Sequence, residues 1–336
     1  MRAVICSEPG KLERIEIPSP EPRAGLVAVD IRAIGICGTD FHIFEGTHPF
    51  LQYPRVMGHE LSGVVVGGAE SPDLAPGTAV VINPYLSCGE CVACRKGRPN
   101  CCATLKVLGV HIDGGMCEQI LVPETNLYPA GDLSLRDAAM IEFQAIGAHA
   151  VRRSALSKDD RVLVVGAGPI GVGTAIFARL AGGAVTLMDI SERRLDFLAE
   201  RFGFDDRLLA GEGALASVDR ATGGDRFDVV FDATGSPRAM EASFDYVASG
   251  GTLVFVGVRA ADITFSDPEF HRKEMTLMAT RNATRADFDT VMLAVRHGRV
   301  PMDALNTHAG SLDALPESMP AWMSGPELPL KAVVTV

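Results

Sequence analysis

The sequence predicts a two-domain α/β protein, with one β-rich domain and one domain built on a doubly wound parallel sheet. The chain has 336 residues, enough for two domains of about 100–200 residues each. Its first ~145 residues hold short β-branched runs between glycine and proline turns. From residue 146 to 282, apolar strand-like runs alternate with helical segments, which is typical of parallel βαβ units.

Strands in the first region are predicted from runs rich in β-branched residues. These runs are Leu26–Ile31, Ser62–Val66 and Ala79–Ile82. Turn-forming segments such as Glu21–Gly25 and Pro76–Gly77 lie between them. Short strands bounded by such turns predict a β-rich domain.

The second region is predicted to hold four strands, of which the first three are each followed by a helix. The strands are Val162–Val165, Ala184–Met188, Asp228–Phe231 and Thr252–Val256, and the helices are Ile170–Ala181, Glu192–Phe202 and Arg238–Ala248. In the last ~50 residues one helix is predicted, Arg285–His297, with Thr284 as its N-cap and Asp287 at position N3. A final apolar strand, Lys331–Val336, follows it.

Composition and charge narrow the range of functions. Hydrophobic residues make up 47% of the chain and charged residues 22%, a balance that can bury a sizeable core. The net charge of −11 argues against non-specific nucleic-acid binding, although a local pocket can still accept an anionic substrate. No apolar run in residues 1–18 is long enough for a signal peptide or a membrane span. We therefore expect a soluble cytoplasmic protein that acts on a small molecule.

A dinucleotide site is predicted where the strand VLVV runs into GAGPIG. Gly166 would allow the tight turn, Gly168 would let the backbone approach a pyrophosphate, and Gly171 would permit close helix packing. The helix N-terminus that follows would face the phosphates. A glycine-rich turn without a ligand is the alternative, but the next strand ends in Asp189, at the distance expected for the acid that binds a ribose 2′-OH.

The acid at the end of that strand also favours NAD over NADP. A carboxylate at Asp189 accepts hydrogen bonds from the 2′-OH but repels a 2′-phosphate. Arg193 and Arg194 complicate this prediction, because an arginine can accommodate that phosphate, although both residues also suit a solvated helix face. We expect the acid to dominate and the cofactor to be NAD.

Five of the eight cysteines lie close together in the run CGECVACRKGRPNCC. Cys88, Cys91 and Cys94 have C-x2-C-x2-C spacing, and Cys102 completes a set that can surround a structural zinc ion. Cys101 is an alternative fourth ligand. An iron–sulfur cluster also accepts four thiolates, but nothing else in the sequence indicates electron transfer.

A second metal site is predicted from the segments GICGTDFH and MGHE. Cys37 and His59 are individually unremarkable, since lone residues of these types more often fill a core or lie on the surface. Their sequence neighbours strengthen the prediction of a metal site: Thr39 and His42 follow the cysteine, Glu60 follows the histidine, and a further acid occurs at position 142. A catalytic zinc takes mixed S, N and O ligands and keeps one position open. The acid at 142 could instead cap a helix or form a salt bridge.

Taken together, these motifs closely resemble the zinc-containing medium-chain dehydrogenase/reductase family, over essentially the whole chain. The resemblance implies a GroES-like catalytic domain formed by residues 1–147 and 283–336, including the zinc lobe at 88–102. It implies a Rossmann NAD-binding domain at residues 148–282 and an active site in the cleft between the domains. It also implies a homodimer or homotetramer.

The same resemblance assigns roles to single residues. It implies that Cys37, His59 and either Glu60 or Glu142 hold the catalytic zinc, with exchange between the two acids. Thr39 would pass on the substrate proton and His42 would carry it toward solvent, while hydride leaves for the nicotinamide. The residues expected to contact NAD are Gly166, Gly168, Pro169, Ile170, Gly171, Asp189, Arg194, Thr234, Val256, Gly257 and Val258.

Glu142 stands where the dehydrogenases of simple alcohols have cysteine, so the chain resembles the polyol and threonine dehydrogenase branch. Within it, stretches such as THPFLQYPRVMGHE and FSDPEFHRKEMTLMATRNAT resemble bacterial L-galactonate 5-dehydrogenases. The pair Phe143–Gln144 departs from their pattern of proline and an apolar residue. We expect oxidation of a secondary alcohol on a sugar acid or polyol, with sorbitol, polyol-phosphate or L-threonine 3-dehydrogenase activity as alternatives.

Substrate-binding residues are the least specified part of the prediction. His111, Arg281 and Asn282, together with the relay histidine, could bond several hydroxyls or a carboxylate. Arg281 suits a carboxylate because a guanidinium binds it bidentately, although a cofactor or subunit contact is an equal alternative. Two rival functions are a non-enzymatic nucleotide sensor, which would have a broken catalytic set, and a zinc-free quinone reductase, which would lack both cysteine sets.

Overall fold

The computed structural model describes residues 1–48, 51–325 and 329–336. Residues 49–50, which belong to the stretch THPFLQYPRVMGHE, and residues 326–328 lie outside the described part. The described residues contain eighteen strands. In chain order they are β1 (Arg2–Glu8), β2 (Lys11–Glu16), β3 (Leu26–Ile36), β4 (Arg55–Val56), β5 (Glu60–Gly67), β6 (Ala79–Ile82), β7 (Tyr85–Leu86), β8 (Lys106–Val107), β9 (Gln119–Pro123), β10 (Leu127–Pro129), β11 (Arg161–Val165), β12 (Ala184–Asp189), β13 (Arg207–Leu209), β14 (Phe227–Asp232), β15 (Val247–Phe255), β16 (Thr276–Ala279), β17 (Asn306–Ser311) and β18 (Lys331–Thr335).

The α-helices of the described residues are, in chain order, α1 (Gly38–Glu45), α2 (Val92–Arg95), α3 (Leu135–Ala139), α4 (Ile141–Ser154), α5 (Pro169–Leu180), α6 (Glu192–Phe202), α7 (Ala214–Thr222), α8 (Pro237–Tyr246), α9 (Asp267–Arg272), α10 (Arg285–Arg296), α11 (Met302–Leu305) and α12 (Leu315–Ser324). The chain divides into two compact units. The β-rich unit comprises Met1–Glu142 and Phe288–Val336, and the parallel-sheet unit comprises Phe143–Asp287.

The main sheet of the β-rich unit has the strand order β10-β6-β5-β3-β18-β17, and β9 also pairs with β3. Its pairs are antiparallel except for β17 with β18. In the first half of β3, Val27, Val29 and Ile31 alternate with less buried residues and pack into the core, as the period of two requires. The strand extends five residues beyond its predicted end at Ile31, past a register shift between Ile31 and Ala33.

The parallel-sheet unit contains six strands in the order β13-β12-β11-β14-β15-β16, all parallel. The predicted parallel sheet with alternating helices is therefore confirmed. The central strand β11 is almost wholly buried, which explains its continuous apolar sequence. Helix α6 has the predicted bounds, and α5 starts at Pro169, because proline is favoured in the first turn, where no N–H bond is needed.

Several elements differ from the sequence predictions. Helix α8 ends at Tyr246, and β15 already begins at Val247, so the predicted helix end at Ala248 and strand start at Thr252 were wrong. The last 50 residues contain α11 and α12 in addition to the predicted helix. Helix α12 carries Pro320 in its interior, a residue that normally interrupts a helix and hides it from sequence reasoning.

Helix α4 was not predicted. Its packing depends on Gly147, where a Cβ would come within 2.5 Å of the backbone nitrogen of Thr174 in α5. The N-cap prediction at the start of α10 holds in part, because the Asp287 carboxylate accepts a hydrogen bond from the Thr284 backbone N–H at 2.8 Å. Among the helices described, none is long and apolar enough to cross a membrane.

Candidate active site

One edge of the β-rich sheet gathers residues from three neighbouring strands. Strand β3 ends at Ile36, β5 begins at Glu60, and β18 begins at Lys331, in the sheet order β5-β3-β18. Antiparallel pairing brings the end of β3 beside the starts of its two neighbours. Cys37 follows β3 directly and His59 precedes β5 directly, so the strand register alone brings these side chains together.

Cys37, His59 and Glu60 form a buried group whose candidate ligand atoms all lie within 4.8 Å of one another. The set offers one thiolate, one imidazole and one carboxylate, which is the mixed S, N and O donor set of an open zinc site. Cys37 lies immediately before α1, as the N-cap residue of that helix. The donor chemistry therefore fits a catalytic zinc ion.

Asp40, which sequence reasoning had not assigned a role, supports this group from α1. Its Oδ2 atom accepts a hydrogen bond from the Cys37 backbone N–H at 2.9 Å. Its Oδ1 atom lies 3.8 Å from Nδ1 of His59, and both of these buried atoms lack a hydrogen-bond partner in the described residues. A carboxylate facing Nδ1 leaves Nε2 of His59 as the ligand atom, the usual arrangement around a metal-bound histidine.

The charges around this group suit a bound cation. Burial alone would lower the pKa of His59, but Asp40 and Cys37 raise that pKa well above its usual value. A raised histidine pKa at a buried position reports an excess of negative charge around the ring. A divalent metal ion would supply the balancing charge and allow the imidazole to bind as the neutral form.

Lys331 is the second residue that sequence reasoning missed, since it was predicted only as the start of a strand. Its Nζ lies 2.6 and 2.8 Å from the two carboxylate oxygens of Glu60, and neither side chain has any exposed surface. Gly35 makes room for the pair, because a Cβ there would lie 2.3 Å from Oε2 of Glu60. Glu60 therefore has a protein cation as a partner in addition to any metal. The sequence feature that could have indicated a role for Lys331 is its position as a charged residue at the start of an otherwise apolar strand.

Glu142 lies in the first turn of α4, outside the 4.8 Å group. Its Oε1 accepts a short hydrogen bond from the hydroxyl of Tyr85, a third residue that sequence reasoning missed, and its buried Oε2 has no hydrogen-bond partner in the described part of the chain. Burial raises the pKa of Glu142 to about 7, and the neighbouring Glu60 adds to this, while His59 opposes it. Burial and Glu142 also raise the pKa of Tyr85 well above its usual value, so its hydroxyl remains a donor.

The predicted proton relay lies along α1. The Thr39 hydroxyl is 3.9 Å from the Cys37 sulfur, and His42 follows three residues later on the same helix. The His42 side chain is 54% exposed, with Nδ1 3.3 Å from the Thr47 hydroxyl. The helix thus carries one hydroxyl beside the candidate metal group and one titratable group at the solvent.

The four-cysteine lobe forms a second compact group. The sulfur atoms of Cys88, Cys91, Cys94 and Cys102 all lie within 4.8 Å of one another. Two sulfur pairs, Cys91 with Cys94 and Cys88 with Cys102, are 3.5 Å apart. Four sulfurs at about 2.3 Å from a tetrahedral zinc ion are separated by about 3.8 Å, so the group fits a closed structural site. The structure brings Cys102 into this group, whereas Cys101 is exposed beside it.

The glycine loop in the parallel-sheet unit has the geometry that phosphate binding needs. Gly166 has a φ of +96°, which favours glycine. A Cβ at Gly171 would lie 1.7 Å from the carbonyl oxygen of Gly166, so only glycine fits there. A Cβ at Gly168 would meet nothing within 4 Å, which leaves open space at the start of α5 for a pyrophosphate. Pro169 and Ile170 form the first turn of that helix.

Asp189 lies at the end of β12, and its carboxylate holds the glycine loop. Its Oδ2 accepts from the Ala167 N–H at 2.7 Å, and Oδ1 accepts from the Ser191 N–H at 2.9 Å. Each oxygen keeps a second lone pair for a ribose hydroxyl. Arg194 lies in the first turn of α6, where its backbone N–H donates to the Ser191 hydroxyl.

Thr234, Val256 and Gly257 are all hydrogen-bonded to the buried Asp232, a residue that had no predicted role. Asp232 Oδ1 accepts from the Thr234 N–H at 2.9 Å and from its hydroxyl at 2.7 Å. The Asp232 carbonyl accepts from the N–H groups of Val256 and Gly257. A Cβ at Gly257 would lie 2.5 Å from the Gly235 nitrogen, and Val258 is 83% exposed.

The candidate substrate residues belong to different units. His111 is an exposed residue of the β-rich unit, and its Nδ1 accepts from the Val107 N–H at 3.1 Å, which fixes the ring. Arg281 is exposed and Asn282 has a φ of +54°, and both follow β16 in the parallel-sheet unit. The structure describes each unit by itself, so the joint action of these three residues stays a prediction.

Two protein families match this chain. Residues 23–132 match the alcohol dehydrogenase GroES-like domain, and residues 169–296 match the zinc-binding dehydrogenase family. The L-galactonate-5-dehydrogenase of Escherichia coli K12 is 42% identical over 321 residues, which cover 95% of this chain and 94% of that protein.

Solved structures give the same pattern. The NADH complex of the Escherichia coli CFT073 protein named short chain alcohol dehydrogenase RspB superposes with a TM-score of 0.93 at 29% identity, covering 100% of this chain and 99% of that one. A zinc-binding dehydrogenase from Sinorhizobium meliloti 1021, bound to NADP, has a TM-score of 0.90 at 29% identity, with 100% and 99% coverage.

Proposed function

The chain belongs to the zinc-binding alcohol dehydrogenases with a GroES-like domain, and from this premise we propose that it oxidises a secondary alcohol of a sugar acid or polyol with NAD. Its cofactors are zinc and a nicotinamide dinucleotide. The observation that carries the proposal is the buried group of Cys37, His59 and Glu60, together with the Glu142 oxygen that has no hydrogen-bond partner among the described residues. We propose the predicted domain bounds, 1–147 with 283–336 and 148–282, for the catalytic and NAD-binding domains.

The mechanism follows from the residues around that group. When bound, zinc supplies a Lewis acid for the substrate hydroxyl, and NAD supplies the hydride acceptor. Asp40 orients His59, and Lys331 balances the charge of Glu60, so both would fix the ligands before substrate arrives. Thr39 would accept the substrate proton, and His42 would pass it to solvent.

NAD is proposed over NADP because of the acid at Asp189. Backbone N–H groups hold both of its oxygens at the end of β12, which is the place expected for a ribose 2′-OH partner. A 2′-phosphate would meet this fixed negative charge. One related structure binds NADP, so Arg194 is the residue that would reverse the preference if it faced the phosphate.

The substrate class rests on two supports. Glu142 stands in the position that distinguishes the polyol branch, and the 42% identical relative is named for L-galactonate. Arg281 is our candidate for a sugar-acid carboxylate, since a guanidinium can bind it bidentately. Arg281→Ala should raise the KM for an aldonate selectively over that for the matching neutral polyol, while an equal rise for both would indicate a cofactor contact.

The experiment that tests the proposed function is a substrate panel with each cofactor. L-Galactonate, other aldonates, sorbitol, a polyol phosphate, L-threonine and a simple secondary alcohol are assayed for NAD and NADP reduction. We expect an aldonate or polyol to be the best substrate, with kcat/KM for NAD at least about tenfold that for NADP. Turnover of none of the sugar acids or polyols would contradict the substrate class, and equal use of both cofactors would contradict the role of Asp189.

We also propose a homodimer or homotetramer in the cytoplasm. Within the described part of the chain the edge strand β16 pairs with β15 alone, and Leu277 on it is 37% exposed. An open, apolar strand edge favours pairing with a second copy. None of the eight cysteines, all of which lie in the described residues, forms a disulfide, which suits a reducing compartment. Light scattering of the purified protein tests the assembly, and a monomer at micromolar concentration would contradict it.

A further inference from the structure

Tyr85 is held in place more firmly than a solvent-facing tyrosine would be. Its backbone N–H donates to the Asn83 side chain at 3.0 Å, and its carbonyl accepts from the Asn126 amide at 3.0 Å. Its ring packs edge-on against Phe288, with centroids 6.4 Å apart. The hydroxyl therefore has a fixed position, and that position is beside Oε1 of Glu142.

The hydrogen bond from Tyr85 divides the two oxygens of Glu142. Oε1 is occupied by the tyrosine hydroxyl, whereas the buried Oε2 has no hydrogen-bond partner in the described residues. Held in this way, Glu142 stays outside the compact group of Cys37, His59 and Glu60. An unpartnered buried carboxylate oxygen is costly unless a donor or a cation arrives at it.

Each of the two candidate acids thus has its own protein partner. Glu60 is paired with Lys331 inside the group, and Glu142 is bound by Tyr85 outside it. We propose that Tyr85 is a positioning residue that keeps Glu142 off the metal. Glu60 is then the third protein ligand, and Oε2 of Glu142 is left to contact the molecule that occupies the open position of the metal. The inference rests on the proposed metal site and names which acid completes it.

The test uses the enzyme with Co²⁺ in place of zinc, because the visible absorption of Co²⁺ reports its coordination. Tyr85→Phe keeps the ring against Phe288 and frees Glu142 to reach the metal. We expect its Co²⁺ bands to weaken, as they do when a ligand is added to a tetrahedral site. We also expect release of the metal to a chelator to slow by about tenfold, since a new charged ligand replaces one hydrogen bond.

Tyr128→Phe is the matched control. Tyr128 also packs edge-on against Phe288, at 5.2 Å, but its hydroxyl accepts from the Asn83 amide at 2.8 Å. Its Co²⁺ spectrum and metal release should equal those of the wild type. If Tyr85→Phe gave the same spectrum and release rate as this control, the proposal would be overturned.

A double variant separates positioning from a general structural effect. In a Glu142→Gln background, Tyr85→Phe should change neither the spectrum nor the release rate, because no carboxylate remains to be freed. An unchanged effect of Tyr85→Phe in that background would overturn the proposal. If Tyr85→Phe does not fold, the Glu142→Gln variant by itself tests the proposal. A Co²⁺ spectrum equal to that of the wild type would support Glu60 as the ligand, and a changed spectrum would overturn the proposal.

The outcome for the wild type separates this inference from the proposed function. Wild-type protein that binds no Co²⁺ beyond the four-cysteine lobe would remove the metal site, and both proposals would fail together. Wild-type protein that binds Co²⁺ at the second site, with no response to Tyr85→Phe, would leave the proposed function intact and refute only the role of Tyr85.

Discussion

Replacing Lys331 by methionine removes the cation that faces Glu60 inside the β-rich unit. The Nζ lies 2.6 and 2.8 Å from the two Glu60 oxygens, and both side chains are fully buried. At these separations the attraction is about 6 kcal/mol with an effective dielectric constant of about 20, before the cost of burying the ammonium is subtracted. Because methionine leaves the carboxylate buried and uncompensated, we expect the free energy of unfolding to fall by about 3–5 kcal/mol.

The assay is urea unfolding followed by the fluorescence of Trp322, the only tryptophan, which packs against the core of the β-rich unit. Mild chelation first removes metal from the candidate active site, so that no other cation balances Glu60. Lys11→Met is the control, because the pair of Lys11 and Glu13, at 3.2 Å, is exposed and should contribute little to stability. Adding Glu60→Gln to Lys331→Met should restore most of the stability. A loss as small as that of the control, or no restoration, would refute the reasoning.

Three further predictions follow from the other sites. Thr39→Val should lower turnover by about 100-fold or more while NADH binding, measured by fluorescence, stays unchanged; near-normal turnover would exclude the relay. Cys94→Ser should reduce the zinc content from two ions to one and lower the melting temperature. Cys101→Ser is the control, because this neighbouring cysteine is exposed, and it should change neither quantity. Equal behaviour of the two variants would contradict the structural role of the four-cysteine lobe. Burial would raise the pKa of Asp287, but hydrogen bonds from His149, Arg152 and Thr284 hold that pKa well below its usual value. Its ionised form therefore stabilises the fold above its unfolded pKa of about 4, and this contribution is lost as the pH falls through the folded-state value. The melting temperature of Asp287→Asn should lie below that of the wild type at pH 7, with a gap that narrows below about pH 4; a gap that is constant from pH 7 to 3 would count against this.

Features encoded by residues close together in the sequence could be predicted. The spacing of Gly166, Gly168 and Gly171 predicts the turn, because each glycine answers a steric demand within a few residues of itself. The cysteine spacing in the lobe likewise fits one short loop. The family resemblance, the fold class and the zinc and nicotinamide cofactors were confirmed on this basis.

Partners that are far apart in the sequence and meet only in the tertiary fold could not be predicted. Lys331 is 271 residues from Glu60, and Tyr85 is 57 residues from Glu142, so no local pattern marks either pair. The question of which acid holds the zinc needed this missing information, since it depends on what else each carboxylate contacts. The roles of the individual site residues stay predictions until the variants above are measured.

The position of β18 has a consequence for the order in which the chain can fold during synthesis. This strand lies between β3 and β17 in the main sheet, and it contributes Lys331 to the pair with Glu60. Until residues 331–335 leave the ribosome, the second half of β3 has an open edge and Glu60 has no lysine beside it. The parallel-sheet unit, Phe143–Asp287, is continuous in sequence and can complete its own sheet earlier. In a nascent chain stalled before β18, the parallel-sheet unit should therefore resist proteases, while the β-rich unit should still be incompletely folded.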